Sequence, residues 1–203
     1  MKITKTTNPT KSSISQTVKL EDLSGMKLRG PTRIITTMLD ELGGVAVGMP
    51  VPAVPEAVSK GVIDGAVIPW EITLPLKMSE LVKNHTEFTG EYGLYTATFG
   101  FLMNKASYDR LPADLKKVID DNSGIEAAAW AGRAMDGGDV VGRKKAAAAG
   151  NNIIVLDAAE TKRWQSASAK IVDGWVKEMA GQGIDAKILV EDARALVTKH
   201  SKP

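Results

Sequence analysis

Apolar positions along the chain switch between two periods, and the switches mark out its elements. Residues 26–29 form a short run entered through Gly25 and stopped by Pro31, which reads as a strand. Over residues 32–42 the apolar positions Ile34, Ile35, Met38, Leu39 and Leu42 share one face of a helix, closed by Gly43-Gly44. A strand is expected over 45–49. Pro50, Pro52 and Pro55 straddle the next junction, and Pro52 or Pro55 suits the first turn of a short helix ending at Gly61. Residues 62–68 are nearly all apolar, the pattern of a strand covered on both faces. Strand, helix, strand, helix, strand in close succession predicts parallel pairing through right-handed crossovers.

The second half reads as mostly helical. A helical stretch is expected from Pro69-Trp70-Glu71 to Val82, and residues 92–103, rich in Tyr, Thr and Phe, read as a strand. Leu111-Pro112-Ala113-Asp114 opens the longest helical tract, which runs toward Ala149 with several Gly interruptions. Residues 152–156 form a last short strand. Asp157-Ala158-Ala159-Glu160 resembles a capping box ahead of a helix carrying Trp164, Ile171, Trp175 and Met179, and residues 191–199 form a terminal helix. The polar residues 1–20 read as a loose leader. The expected fold class is α/β, with a parallel-rich sheet flanked by helices and a helical C-terminal tail over residues 21–203.

Composition narrows the function. A chain of 203 residues with 43% hydrophobic and 25% charged content is ordinary globular material. Charges, Gly or Pro interrupt every apolar run before the roughly 20 residues that a membrane-spanning helix needs. A net charge of +2, with cations and anions mixed, supplies no basic stripe, so nucleic acid is not an expected partner. The absence of Cys removes disulfides, thiolate nucleophiles and most zinc sites. His85, in an expected loop, and His200, near the end, read as surface residues that assemble neither a metal cluster nor a nucleophile-base pair; no metal or cofactor is expected. Gly137-Gly138-Asp139-Val140-Val141-Gly142-Arg143-Lys144 has the outline of a phosphate loop but lies in a helical tract with Arg143 in place of the Lys, so it reads as helix packing or a kink. Gly181-Gln182-Gly183 follows a helix and reads as its C-cap rather than a dinucleotide turn. No carboxylate pair stands out for acid-base work, which favours binding over catalysis.

The informative constellation is Leu28-Arg29-Gly30-Pro31, which sets a guanidinium at the end of a parallel strand, where α/β sheets hold ligands in the crevice beyond the strand termini. Arg presents a planar fork that holds a carboxylate through two parallel hydrogen bonds. A surface ion pair is the alternative.

Several blocks together carry a family resemblance. Leu23-Ser24-Gly25-Met26-Lys27-Leu28-Arg29-Gly30-Pro31, Leu42-Gly43-Gly44 with Val47-Gly48-Met49-Pro50, Val58-Ser59-Lys60-Gly61-Val62-Ile63-Asp64-Gly65, and Met103-Asn104-Lys105 followed by Leu111-Pro112-Ala113-Asp114-Leu115-Lys116-Lys117 resemble the DctP-type solute-binding subunits of TRAP transporters, over residues 18–203. The resemblance implies a lobe of the periplasmic-binding-protein type. It also implies a periplasmic location, an organic-acid ligand whose carboxylate is clamped by Arg29, hinge closure, and delivery to the TRAP membrane permease. Arg33 is either a second clamp or a helix-face cation. Val51 and Pro52 fall in the family's pocket loop, or form a stiff connector.

Where the family carries Glu-Asn-Pro after Asp-Gly, this chain reads Val67-Ile68-Pro69-Trp70-Glu71 after Asp64-Gly65-Ala66, so the pocket chemistry departs from the pattern. Trp70 offers an apolar wall and an indole donor, or is an ordinary core residue. Glu71 meets an amine or hydroxyl of the ligand, or is a first-turn helix acid. Thr96, Thr98 and Phe99 are expected to line the cleft, with Phe99 facing away from the two threonines.

Family members also carry an export signal and an N-terminal half that builds most of the opposing lobe, and neither precedes Met1 here. Residues 1–20 are then a leader or a remnant of that N-terminal lobe, which is otherwise expected to be missing. Binding is expected to be weak unless another chain supplies the second wall, and exposed apolar surface is expected to favour self-association. A non-binding fragment, a sensor presenting its ligand to a receptor kinase, and an enzyme using Glu71 or His85 as base stay open as alternatives.

Overall fold

Six strands form one sheet in the computed structural model, which describes residues 2–5, 17–90 and 93–200. They are β1 (Lys2–Lys5), β2 (Lys27–Gly30), β3 (Val45–Gly48), β4 (Gly65–Ile68), β5 (Asn84–Phe88) and β6 (Asn152–Leu156), in the spatial order β3-β2-β4-β1-β5-β6. Strand β2 pairs in parallel with β3 and β4, and β5 in parallel with β6. Strand β1 runs antiparallel to both its neighbours, β4 and β5. All the other strands therefore point the same way, and their carboxyl ends share one edge of the sheet. The expected α/β fold with parallel strands flanked by helices is what the chain adopts.

The helices are α1 (Arg33–Glu41), α2 (Val54–Ser59), α3 (Trp70–Thr73), α4 (Met78–Leu81), α5 (Lys105–Asp109), α6 (Ala113–Asp121), α7 (Ile125–Ala148), α8 (Ala158–Ala180) and α9 (Ala186–His200). Two apolar clusters lie on opposite faces of the sheet. Leu28, Met38, Leu39, Val67, Leu156 and Trp164 pack together with α1 and α8. Val54, Ile63, Ala66, Ile68, Met78 and Val82 pack together with α2 and α4. Successive residues of β4 alternate between these clusters, and every one is buried, which is why its sequence is continuously apolar.

The first half follows its periodicity closely. Helix α1 begins one residue after Thr32, whose side chain accepts a hydrogen bond from the Ile35 amide, and buries Ile35, Met38 and Leu39. Strand β6 has the expected bounds. The tract from 70 to 82 divides into α3 and α4, with Pro75 and the left-handed Lys77 between them. The long tract ahead of Ala149 divides into α6 and α7 at Gly124, which adopts φ +81°. Asp157 caps α8 by accepting from the Glu160 amide at 2.8 Å. Glu160 does not complete the expected box: its Oε1 accepts from the Leu20 amide and from the Trp164 indole. Gly181 is the C-cap of α8 and Gly183 adopts φ +75°, as expected for a helix end.

Three expectations need correction. Residues 2–5 are no loose leader, because β1 occupies the middle of the sheet with Ile3 opposite both Val67 and Thr86. The strand expected over 92–103 is irregular chain from residue 93 onward, and Tyr92 lies outside the described residues. β-type composition measures fit to a pleated surface, and no strand pairs with this segment; Phe99, Phe101 and Leu102 stay exposed instead. The actual strand, β5, hid behind polar residues. His85 is fully buried in it, not at the surface, with Nε2 at 3.1 Å from the Asn151 amide nitrogen, while Thr86 donates to the Thr17 carbonyl at 2.8 Å. Polar side chains with partners in the sheet erase the apolar alternation that announces a strand.

Candidate functional site

Arg29 is the third residue of β2 and only 3% exposed. Its Nε donates to the Met49 carbonyl at 3.1 Å and its Nη1 to the Val67 carbonyl at 3.2 Å. Both acceptors are neutral, and among the described residues no carboxylate pairs with the guanidinium. Burial lowers its pKa from the usual arginine value, while Tyr95 acts in the opposite direction. The group stays protonated at physiological pH all the same. A buried charge held only by dipoles is costly unless a counter-charge arrives.

The counter-charge has a place to sit. A cleft of about 570 Å³ opens beside Arg29 at the carboxyl ends of β2 and β3, lined also by Gly30, Pro31, Thr32, Arg33, Thr36, Thr37, Gly48, Met49, Pro50 and Val51. The N-terminus of α1 contributes Thr32 and Arg33 to the lining, so the positive end of the helix dipole adds to the attraction for an anion. Gly30 makes this geometry possible: a Cβ there would stand 2.6 Å from Thr36 Oγ1 and 3.0 Å from Thr36 Cα. Only glycine lets the first turn of α1 close onto the end of β2.

The sequence-predicted residues divide sharply around this cleft. Arg29, Arg33 and Val51 line it, whereas Pro52 is exposed and outside the lining. Arg33 is an exposed residue whose Nη1 reaches Glu178 of α8 at 3.1 Å, so its charge is already matched. Trp70 is 5% exposed and packed in the interior, its ring centroid 4.9 Å from that of His85 and its indole donating to Glu87 at 3.4 Å. Glu87 in turn is bound by Arg143 at 2.8 Å. Thr96, Thr98 and Phe99 are exposed on the irregular segment, with Phe99 at 70%, and none of them lines the cleft.

Glu71 begins a different story. Its backbone amide donates to Asp139 Oδ1 at 2.8 Å, across the contact between α3 and α7. Burial first, and then the hydrogen bond and charge of Asp139, push the Glu71 pKa up to about 7. Tyr95 feels both Arg29 and Glu71, and burial raises its phenol to about 12, so Tyr95 stands electrostatically between the cleft arginine and this acid pair. Sequence reading missed Tyr95 and Asp139. The first lay in a segment read as a strand with other residues facing the cleft, and the second was noticed only as part of the glycine-rich run 137–144, read as helix packing or a kink.

The acid pair makes a prediction about stability. Because Glu71 titrates higher in the folded protein than the ordinary 4.5 of the unfolded chain, folding retains a proton between that value and about 7. Its contribution is complete below the lower value and is lost as pH rises through the upper one. Glu71→Gln, which cannot ionise, is expected to lose less stability than the parent when urea unfolding is followed from about pH 5 to about pH 8. Parallel pH profiles for the two proteins would refute the assignment.

Comparison with known proteins adds four findings. The family model described as DctP, bacterial extracellular solute-binding protein family 7, matches residues 4–178. The chain is 44% identical, with a TM-score of 0.91, to a marine metagenome TRAP solute binding protein from an unidentified microbe, specific for aromatic acid ligands and solved in complex with metahydroxyphenylacetate; the match covers 99% of this chain and 61% of that one. It is also 44% identical, again with a TM-score of 0.91, to a TRAP solute binding protein from Rhodoferax ferrireducens T118 solved with copurified benzoate, covering 98% of this chain and 60% of that one. A solute-binding protein of Albidiferax ferrireducens is 29% identical over 154 residues, which are 75% of this chain and 45% of the relative. The chain thus spans at most about three fifths of the length of these relatives.

Proposed function

Since the chain belongs to the DctP family of bacterial extracellular solute-binding proteins, a family without enzymatic activity, we propose that it holds a small monocarboxylate with a flat apolar body in the cleft beyond β2 and β3. The observation that carries this reading is the buried Arg29 guanidinium, which lines that cleft and has no carboxylate partner among the described residues. A single unmatched cation calls for a single anionic group, because the other arginine of the cleft is already paired with Glu178. Pro31, Met49, Pro50 and Val51 supply apolar lining for the body of the guest, and Thr32, Thr36 and Thr37 supply hydroxyls for a ring substituent. The aromatic acids bound by the relatives fit that description.

In this reading Arg29 is the clamp, Val51 packs against the ring, and Arg33 with Glu178 guards the mouth. The irregular segment bearing Thr96 and Phe99, together with Pro52, Trp70 and Glu71, acts around the cleft rather than on the ligand. The protein would work in the periplasm, passing the acid to a TRAP membrane permease.

Isothermal titration with benzoate, 3-hydroxybenzoate, malonate and neutral benzamide tests the proposal. The two aromatic monocarboxylates are expected to bind more tightly than malonate, and benzamide to lose most of the affinity because it lacks the charge. Equal binding of benzoate and benzamide, or no heat with any of the acids, would contradict it.

A further inference from the structure

Two glycines stand side by side where the strands open into the cleft at Arg29. Gly30 closes β2, Gly48 closes β3, and the two are partners in the parallel register. Both line the cleft. They are glycines for different reasons. A Cβ on Gly30 would run into Thr36 of α1, so the packing of the protein itself forbids a side chain there. A Cβ on Gly48 would meet no atom within 4 Å among the described residues.

Backbone conformation does not call for glycine at position 48 either. The residue is paired strand, and its φ lies outside the left-handed region in which other side chains are strained. Glycine in a strand loses more conformational freedom on folding and gives its neighbours nothing to pack against, and it often marks a place where a ligand comes close to the backbone. Where a side chain at 48 would go follows from the pleat. Ala46 packs against the apolar cluster on the α1 side of the sheet, and Val47 against the cluster on the other side. Gly48, two residues after Ala46, therefore faces α1. On that side Thr32, Arg33, Thr36 and Thr37 also line the cleft. Gly48 is exposed, so a side chain on it would project into the open volume that Arg29 borders.

We infer that Gly48 is the residue that sets the size of the guest: its missing side chain leaves room for an aromatic ring to lie over bare backbone while the carboxylate reaches Arg29. The inference rests on the binding proposed for this cleft, and it adds the position that decides which carboxylates fit. A side chain at 48 takes space that the ring needs. A carboxylate without a ring needs less of that space and is hindered less.

Isothermal titration of benzoate and of acetate into the parent protein, Gly48→Ala and Gly48→Val tests it. The ratio of benzoate affinity to acetate affinity is expected to fall about tenfold in Gly48→Ala and about 100-fold in Gly48→Val, the scale of overpacking by a small and by a branched side chain. The thermal midpoint of each unliganded variant should equal or exceed that of the parent, because the added Cβ meets no protein atom and the backbone already suits a side chain. An affinity ratio unchanged in Gly48→Val would overturn the inference and leave the proposed function standing. A large fall in the midpoint of Gly48→Ala would overturn it as well, since the glycine would then serve the fold. A parent protein that binds neither acid would overturn both the inference and the function on which it rests.

Discussion

Arg29→Ala is expected to lower benzoate affinity by about 100-fold or more, the scale measured when one member of a buried, hydrogen-bonded charge pair is truncated. The size of the loss follows from where the guanidinium sits. It is almost wholly buried, so on the protein side of the contact little water screens its charge. It is also fixed in advance by the Met49 and Val67 carbonyls, so little orientation is lost on binding. Arg29→Lys should recover only a small part of the affinity, because an ammonium cannot donate to two carbonyls and present a planar fork to the guest at once. Near-parental affinity in Arg29→Ala, with folding intact, would remove the clamp from the account.

The second large effect concerns the glycines of α7. A Cβ at Gly142 would stand 2.2 Å from the Trp70 carbonyl oxygen and 2.9 Å from its carbon, backbone atoms that cannot step aside. Gly142→Ala is therefore expected to push α7 off α3 and destabilise the protein by about 3 kcal/mol, the upper part of the range for overpacking. At Gly137, on the same helix, an added Cβ meets nothing within 4 Å. There the same substitution should stabilise by about 0.5–1 kcal/mol, through helix propensity alone. Urea denaturation of the two variants, five positions apart in one helix, should give opposite signs. Because Glu71 and Asp139 bridge this same contact, Gly142→Ala should also bring the Glu71 titration back toward the ordinary carboxylate range.

The run that resembles a phosphate loop is thus a packing device, and part of it was readable as such: a helical tract dotted with glycines implies close approach to something. What it approaches was not readable, because Trp70 and Gly142 are brought together by the fold and not by any local pattern. The same distinction holds elsewhere. Strands β2 and β4 and helices α1 and α2 were legible because each buries a continuous or periodic apolar face. Strand β5 was not, since His85 and Thr86 are buried with polar partners from distant parts of the chain. Central strand β1 was equally hidden, as residues 2–5 are as polar as an exposed leader.

At the cleft, the arginine was legible from Leu28-Arg29-Gly30-Pro31, a cation at a strand end ahead of a helix. Its two carbonyl supports were not, as they come from 20 and 38 residues away. Trp70 and Glu71 stood out because they replace a polar family segment, yet the chain turns Trp70 into the interior against His85 and commits Glu71 to Asp139. Position in a motif predicted the neighbourhood of the site correctly. Side-chain direction depended on packing that no single sequence displays.

The clamp itself is best examined in a crystal structure of the protein grown with benzoate. The account predicts the carboxylate beside the Arg29 guanidinium, both oxygens within hydrogen-bonding distance of it and the ring against Met49 and Val51. Benzoate bound elsewhere in the molecule, with the cleft at the end of β2 and β3 filled only by water, would contradict it.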